Sequence, residues 1–185
     1  MKLKTKRLIL RQIKKSDMKK LIENINNINV SKWLLVVPFP YKKKDAVWWI
    51  DHCNKIWKNN KKDKYEFSIE LKEEKNIIGG ITLSDVNKFQ GTATTGYWLG
   101  EKYWRNGYGT EALGALLKFA FNKLKLRRLN VSVFSGNPSS GKLLEKFGAK
   151  KEGLKRKAVR SKANKFIYDE IIYGLLKSEW RKNKW

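Results

Sequence analysis

The sequence predicts an α/β fold built on one mixed, twisted sheet, and three observations carry that expectation. Apolar positions switch repeatedly between two-residue and 3.6-residue periods, giving the order β-α-α-β-β-β-α-β-α-β-β. Residues 96–113 read as a strand, a turn holding Gly107 and Gly109, and the first turn of a long helix. A hydrophobic content of 41% with eight tryptophans supports a packed core despite 32% charged residues.

Each element has its own signal. Residues 3–13 carry Leu3, Leu8, Leu10 and Ile13 with enough alternation for a strand. Ser16 or Asp17 then caps a helix whose Met18, Leu21, Ile22 and Ile25 share a face. A loop with Pro38 and Pro40 leads to a second helix, capped by Asp45, with Ala46, Trp49, Ile50, Cys53 and Trp57 in one stripe. Strands are expected at 65–72, 76–86 and 92–99. The helix after the glycine turn repeats Ala112, Leu113, Leu116, Leu117, Ala120, Phe121 and Leu124 at helical spacing, which marks a buried face. Residues 127–135 alternate through Leu129, Val131 and Val133 as a strand. A short helix with Leu143, Leu144 and Phe147 ends near Gly148, and two strands fit 150–160 and 165–176.

The length of 185 residues suits one domain spanning 1–185. The single Cys53 has no disulfide partner in the chain and points to a reducing compartment. No apolar run approaches the ~20 residues of a membrane span. Residues 1–10 are basic but lack an apolar stretch long enough for a signal peptide, so a cytoplasmic location and no membrane partner are expected. The net charge is 42 − 17 = +25. It suits an acidic or ribosome-associated partner, and it disfavours polycationic substrates. Lysines outnumber arginines 34 to 8, a bias that an A/T-rich genome would equally produce.

Two strand-to-helix turns carry the chemistry. At Gly107 and Gly109, backbone N–H groups converge with the positive end of the helix dipole, a combination that binds phosphate. The second turn, Gly136-Asn-Pro-Ser-Ser-Gly-Lys142, has the G-x-x-x-x-G-K spacing of a nucleotide phosphate loop. That motif needs a hydroxyl after the lysine to reach Mg²⁺, and Leu143 stands there on the apolar stripe of its helix.

The segment Asn137-Pro-Ser-Ser-Gly-Lys-Leu-Leu-Glu-Lys-Phe-Gly148 resembles instead the motif Asn-x-x-Ser/Ala-x-x-Leu-Tyr-x-Lys-x-Gly-Phe of the GNAT acetyltransferase superfamily. That superfamily also has a G-x-G/A turn opening a long helix one βα unit earlier, and here Gly107 and Asn137 lie 30 residues apart. Gly-Tyr-Trp-Leu before Tyr-Trp-x-x-Gly-Tyr-Gly-Thr-Glu-Ala, the opening Thr5-Lys-Arg-Leu-Ile-Leu-Arg and the Trp33…Pro38-Phe-Pro40 loop look like the RimJ/RimL branch, which acetylates ribosomal proteins. The chain departs from the pattern at Leu144, where a tyrosine commonly protonates the departing thiolate, at Ala149 for Phe, at Thr94 for Glu, and at Trp104 for Arg or Gln, although the RimJ/RimL branch often has tryptophan there.

The resemblance implies a GNAT-type sheet of about seven strands flanked by four helices. It implies acetyl-CoA as cosubstrate, no metal, and an amine acceptor, either a protein N-terminus or a small molecule. A basic ribosome- or RNA-binding module without catalysis is the reading from another class. Cofactor contacts fall on Trp98, Leu99, Trp104, Arg105, Asn106, Gly107, Tyr108, Gly109, Thr110, Asn137, Ser140 and Lys142. A backbone N–H near Trp98 or Leu99 would stabilise the oxyanion. Ser140 is the candidate thiolate acid, and Asn137, followed by Pro138, is also a strong helix cap. Trp33, Phe39 and Tyr41 would line the acceptor groove or cover the core beneath it. Glu101, Asp85 and Asp169 are possible bases that read more readily as surface or strand-end charges, and His52 lacks a second catalytic partner in the sequence. An α-amine, with pKa ~7.7–8.0 against ~10.4 for lysine, needs less help from a base.

Overall fold

The computed structural model describes residues 1–59 and 62–181. Eight strands form one sheet: β1 (Lys2–Lys4), β2 (Leu8–Arg11), β3 (Tyr65–Leu71), β4 (Asn76–Asn87), β5 (Thr92–Leu99), β6 (Arg128–Phe134), β7 (Lys150–Arg160) and β8 (Ile167–Leu176). The helices are α1 (Met18–Ile25), α2 (Ile28–Ser31), α3 (Lys43–Lys58), α4 (Tyr108–Lys118) and α5 (Pro138–Lys146). The order across the sheet is β1-β2-β3-β4-β5-β6-β8-β7. Among the described residues only the β5–β6 pair is parallel, and the crossover that parallel neighbours need runs through α4.

The single strand expected at 3–13 is two strands, because the chain turns at Thr5: the Thr5 N–H donates to the Leu8 carbonyl, and the Leu8 N–H donates to Thr5 Oγ1. The four-residue α2, capped by the Asn27 side chain, adds a fifth helix. Asp45 lies in the first turn of α3 rather than before it, and accepts the Lys42 N–H at 2.8 Å. α4 runs on into a π-type turn, Phe119–Lys123, so the apolar stripe read from the sequence is continuous in space.

Alternation along β4 sorts the two sides of the sheet. Ile78 belongs to the larger core under α4 and α5, with Leu10, Phe67, Leu83, Leu116, Phe121 and Phe147. Its neighbour Ile77 points the other way, into the core under α1 and α3 with Ile13, Leu21, Ile25, Tyr41, Ala46, Ile50 and Cys53. Each fully buried Leu, Ile or Phe contributes about 1.5–3 kcal/mol of apolar burial, so both layers are held down along their length.

One interruption positions everything that follows. β5 and β6 are paired only at Thr92–Arg128, Ala93–Leu129 and Thr94–Asn130. Beyond these, β6 continues against β8 up to Phe134–Glu170, while β5 continues against β4 up to Leu99–Gly79. The two central strands therefore splay apart and leave a wedge in the sheet, with α4 starting on one side and α5 on the other.

Candidate active site

The wedge exposes backbone. The Gly100 N–H donates to Ile78 in β4. Main-chain groups alternate in direction along a strand, so those of Trp98 also face β4, whereas those of Tyr97 and Leu99 face the wedge. Of the two backbone donors expected here, Leu99 is thus the one directed outward. Its carbonyl is held by Trp104 Nε1 at 2.8 Å. Trp98 sends its indole the other way, over Gly80 and against the α1–α3 core.

The glycine turn stands at the mouth of the wedge. Arg105 and Gly107 take positive φ values of 62° and 78°, which turns successive N–H groups toward one side, and α4 begins at Tyr108. A Cβ at Gly107 would come within 3.3 Å of Arg7 Nη2. A Cβ at Gly109 would meet Leu143 at 3.3 Å and Leu99 at 3.6 Å, so this glycine keeps α4 close to α5 and β5. Asn106 bonds back to the Trp104 carbonyl at 3.0 Å, and Thr110 is partly exposed in the first turn of α4. A cavity of about 350 Å³ adjoins the turn, lined by Lys6, Arg7, Gly107, Thr110, Glu111 and Lys146. A larger depression of about 540 Å³, lined by Asp63, Asp85 and Asn87 among others, lies at the β4–β5 hairpin; it includes the candidate base Asp85 and none of the expected cofactor contacts.

Two residues that the sequence reading did not assign brace this turn. Glu111 is 5% exposed and accepts hydrogen bonds from Thr5 Oγ1 at 2.6 Å, the Arg7 N–H at 2.6 Å and Arg7 Nε at 2.7 Å. Burial alone would raise its pKa, but the bonds from Thr5 and Arg7 outweigh it and hold the carboxyl below the usual range. Arg7 in turn donates to the Asn106 carbonyl at 2.9 Å and lies 4.5 Å over the Tyr108 ring. The signal was present in the sequence as an arginine beginning an apolar strand and a glutamate in a helix's buried first turn. Their pairing spans 104 residues, beyond the reach of any local pattern.

On the other side, Asn137 caps α5: its side chain accepts the Ser140 N–H, with Pro138 in the first turn. Ser140 is partly buried, and its Oγ lies 2.9 Å from the hydroxyl of Tyr97. Lys142 is exposed on α5. Leu144, 2% exposed, is core and aims no group at the wedge.

The acceptor-side expectations divide. Trp33 packs beside Gly136, with its ring 5.6 Å from that of Tyr168, near the far end of β6. Phe39 is 41% exposed. Tyr41 is buried in the α1–α3 core, where burial raises its pKa, so it covers core rather than lining a groove. The candidate bases are engaged elsewhere. Glu101 accepts from the Asn27 and Asn29 side chains, Asp169 from the Lys157 N–H at 2.7 Å, and Asp85 from Ser84 at the distant hairpin. His52 stacks on Trp48 at 5.1 Å, its pKa lowered by burial. Among the described residues no group of three or more His, Cys, Asp or Glu could hold a metal ion, and no helix is long and apolar enough to cross a membrane.

A splayed β5–β6 pair with a glycine turn opening the intervening helix now stands beside a sequence match of residues 7–150 to the acetyltransferase (GNAT) domain family. The chain belongs to the GNAT acetyltransferases. It is an N-acetyltransferase, and therefore an acyltransferase. Among relatives, the uncharacterized N-acetyltransferase p20 of Bacillus licheniformis is 30% identical over 95% of this chain and 96% of that protein. YdaF of Bacillus subtilis, provisionally named a ribosomal N-acetyltransferase, is 26% identical over 96% of this chain and 95% of that one. The fold is shared with a spermidine N-acetyltransferase from Vibrio cholerae, solved with CoA and spermine, at a TM-score of 0.78 and 22% identity over 95% and 98% of the two chains.

Proposed function

We propose that this GNAT protein transfers an acetyl group from acetyl-CoA to the α-amine of a protein N-terminus in the cytoplasm. The observation that carries the reading is the wedge itself, with outward backbone groups on β5, the glycine turn on one flank and the Ser140 hydroxyl on the other. The continuous sheet from Lys2 to Leu176 supports taking 1–185 as one domain.

The residues present fit acetyl-CoA. The turn at 105–110 offers N–H groups with no side chain at 107 or 109, and Lys6, Arg7 and Lys146 add positive charge beside it for a pyrophosphate. The open edge of β5 offers hydrogen-bonding partners to an amide-bearing arm. Acetyl-CoA supplies a thioester-activated acetyl group. The Leu99 N–H would donate to the carbonyl oxygen as it gains charge. Ser140 Oγ would pass its proton to the sulfur as the C–N bond forms and the C–S bond breaks. The proton shed by the acceptor nitrogen returns through solvent, so serine is restored.

Charge and chemistry favour an α-amine. A chain at +25 repels polyamines at long range and attracts acidic or ribosome-associated proteins. The carboxylates expected as bases already hold other partners, and an amine with pKa ~7.7–8.0 is the one that reacts with least help. YdaF's name agrees with a protein acceptor. Trp33 and Phe39 would contact the acceptor. The test is mass spectrometry of peptides with free or blocked N-termini incubated with acetyl-CoA. Acetyl groups on the α-amine support the reading, and acetyl groups confined to lysine side chains overturn it.

A further inference from the structure

We propose that Tyr97 is a positioning residue for the transfer: it holds the Ser140 hydroxyl over the wedge and moves its own O–H onto Ser140 Oγ as that oxygen gives up its proton. This rests on the reading of Ser140 as the proton donor.

Tyr97 lies on β5 past its last pairing with β6, and its ring joins the core beneath α4 and α5. Its hydroxyl donates to the Ser140 carbonyl at 3.0 Å and lies 2.9 Å from Ser140 Oγ. A carbonyl can only accept, whereas a hydroxyl can do either. The phenol has one proton for two acceptors, so two arrangements share the same heavy-atom positions. In one, Tyr97 donates to the carbonyl and Ser140 Oγ donates to Tyr97. In the other, Tyr97 donates to Oγ, and the serine proton is free to point into the wedge. Rotation of two hydroxyls interconverts them.

That exchange matches what a donating serine needs. A serine in the first turn of a helix ordinarily bonds to nearby backbone or to water. Here it is tied across 43 residues to the strand that borders the wedge. As Oγ loses its proton it becomes a stronger acceptor, so the Tyr97 bond is strongest in the transition state and weaker in the ground state. Interactions of that kind raise kcat and leave KM largely alone. Burial pushes the Tyr97 hydroxyl up to about 12, despite the opposing effect of its bond to Ser140, so it remains protonated and able to donate at physiological pH. A second tyrosine steadies the same turn from below. Tyr173 of β8 bonds Glu145 at 3.2 Å, and its oxygen would lie 2.6 Å from a Cβ at Gly141, so only glycine beside Ser140 admits it.

The experiment compares the full chain with Tyr97→Phe, Ser140→Ala and the double variant. Turnover is read as thiol release from acetyl-CoA with an acidic peptide bearing a free N-terminus. CoA binding is followed by calorimetry and Tyr97 by NMR of ring-labelled tyrosine. Tyr97→Phe is expected to lower kcat about tenfold, with KM for acetyl-CoA and CoA affinity within twofold of the parent, and the double variant should be no slower than Ser140→Ala. The resonance lost in Tyr97→Phe should shift in Ser140→Ala. Parent-like kcat in Tyr97→Phe alongside a slow Ser140→Ala overturns the proposal while leaving Ser140 as donor, as do fully additive effects. Parent-like kcat in Ser140→Ala overturns the underlying reading of Ser140, and this proposal with it.

Discussion

Replacing Glu111 with Gln tests the brace beneath the glycine turn. The carboxylate accepts three hydrogen bonds, from Thr5 Oγ1 and from the N–H and Nε of Arg7. Glutamine can keep one oxygen for Thr5 and the Arg7 N–H, but it presents an NH₂ group to Arg7 Nε. One charge-assisted bond is lost and two donors face each other. Such bonds are worth ~1.5–3 kcal/mol. The Arg7 side chain is 42% exposed, so solvent screens the Coulombic part and the lower end applies, about 1.5 kcal/mol. For a chain of this size that is a fall in Tm of roughly 3–6 °C. CoA affinity should drop as well, because Arg7 would no longer be held against the Asn106 carbonyl. The pH dependence has a definite sign. The folded-state pKa of Glu111 is lowered, so its contribution is fully present above the unfolded value of ~4.3 and is lost as pH falls through the folded value. Thermal unfolding followed by circular dichroism should therefore show a gap between parent and variant that is constant near neutrality and closes in acid. A gap under about 1 °C at neutral pH, or one that widens in acid, would mean that the Glu111 carboxylate does not brace the turn.

Other consequences concern the wedge and the acceptor. Gly109→Asp places a side chain against Leu143 and Leu99 and a negative charge beside the turn; calorimetry should show CoA binding weakened at least tenfold while circular dichroism shows a folded chain. For an acidic acceptor peptide, kcat/KM should fall steeply from low to physiological salt, since charge steering is screened beyond ~8–10 Å, and acidic peptides should outcompete basic ones.

The parts of this structure set by local periodicity were legible in the sequence. The long stripe from Ala112 to Leu124, the strands around it and the cap at Asn137 follow from spacing and turn chemistry, and the two glycine-bearing turns are the strand-to-helix connections that follow β5 and β6. What escaped depends on partners far apart in the chain. Nothing near Thr5 says that the strand must break there to bring Arg7 to Glu111. Tyr97 reads as one more strand residue until α5 sets Ser140 beside it. Tyr41 follows a proline-rich loop, where sequence leaves groove and core equally open, and only the packing of α1 and α3 puts its ring in the core. Arg105 reads as a candidate ligand, and its left-handed backbone became apparent only with the turn itself.

The most direct test of the central claim is the position of the acetyl group. An equimolar mixture of an acidic peptide with a free N-terminus, the same peptide with that terminus blocked but a lysine present, and spermidine would be incubated with the protein and acetyl-CoA, and the products sequenced by tandem mass spectrometry. The expected product is the peptide acetylated on its free α-amine, with little acetylation of the blocked peptide and little of spermidine. Preferential acetylation of spermidine, or of lysine in the blocked peptide, would contradict it.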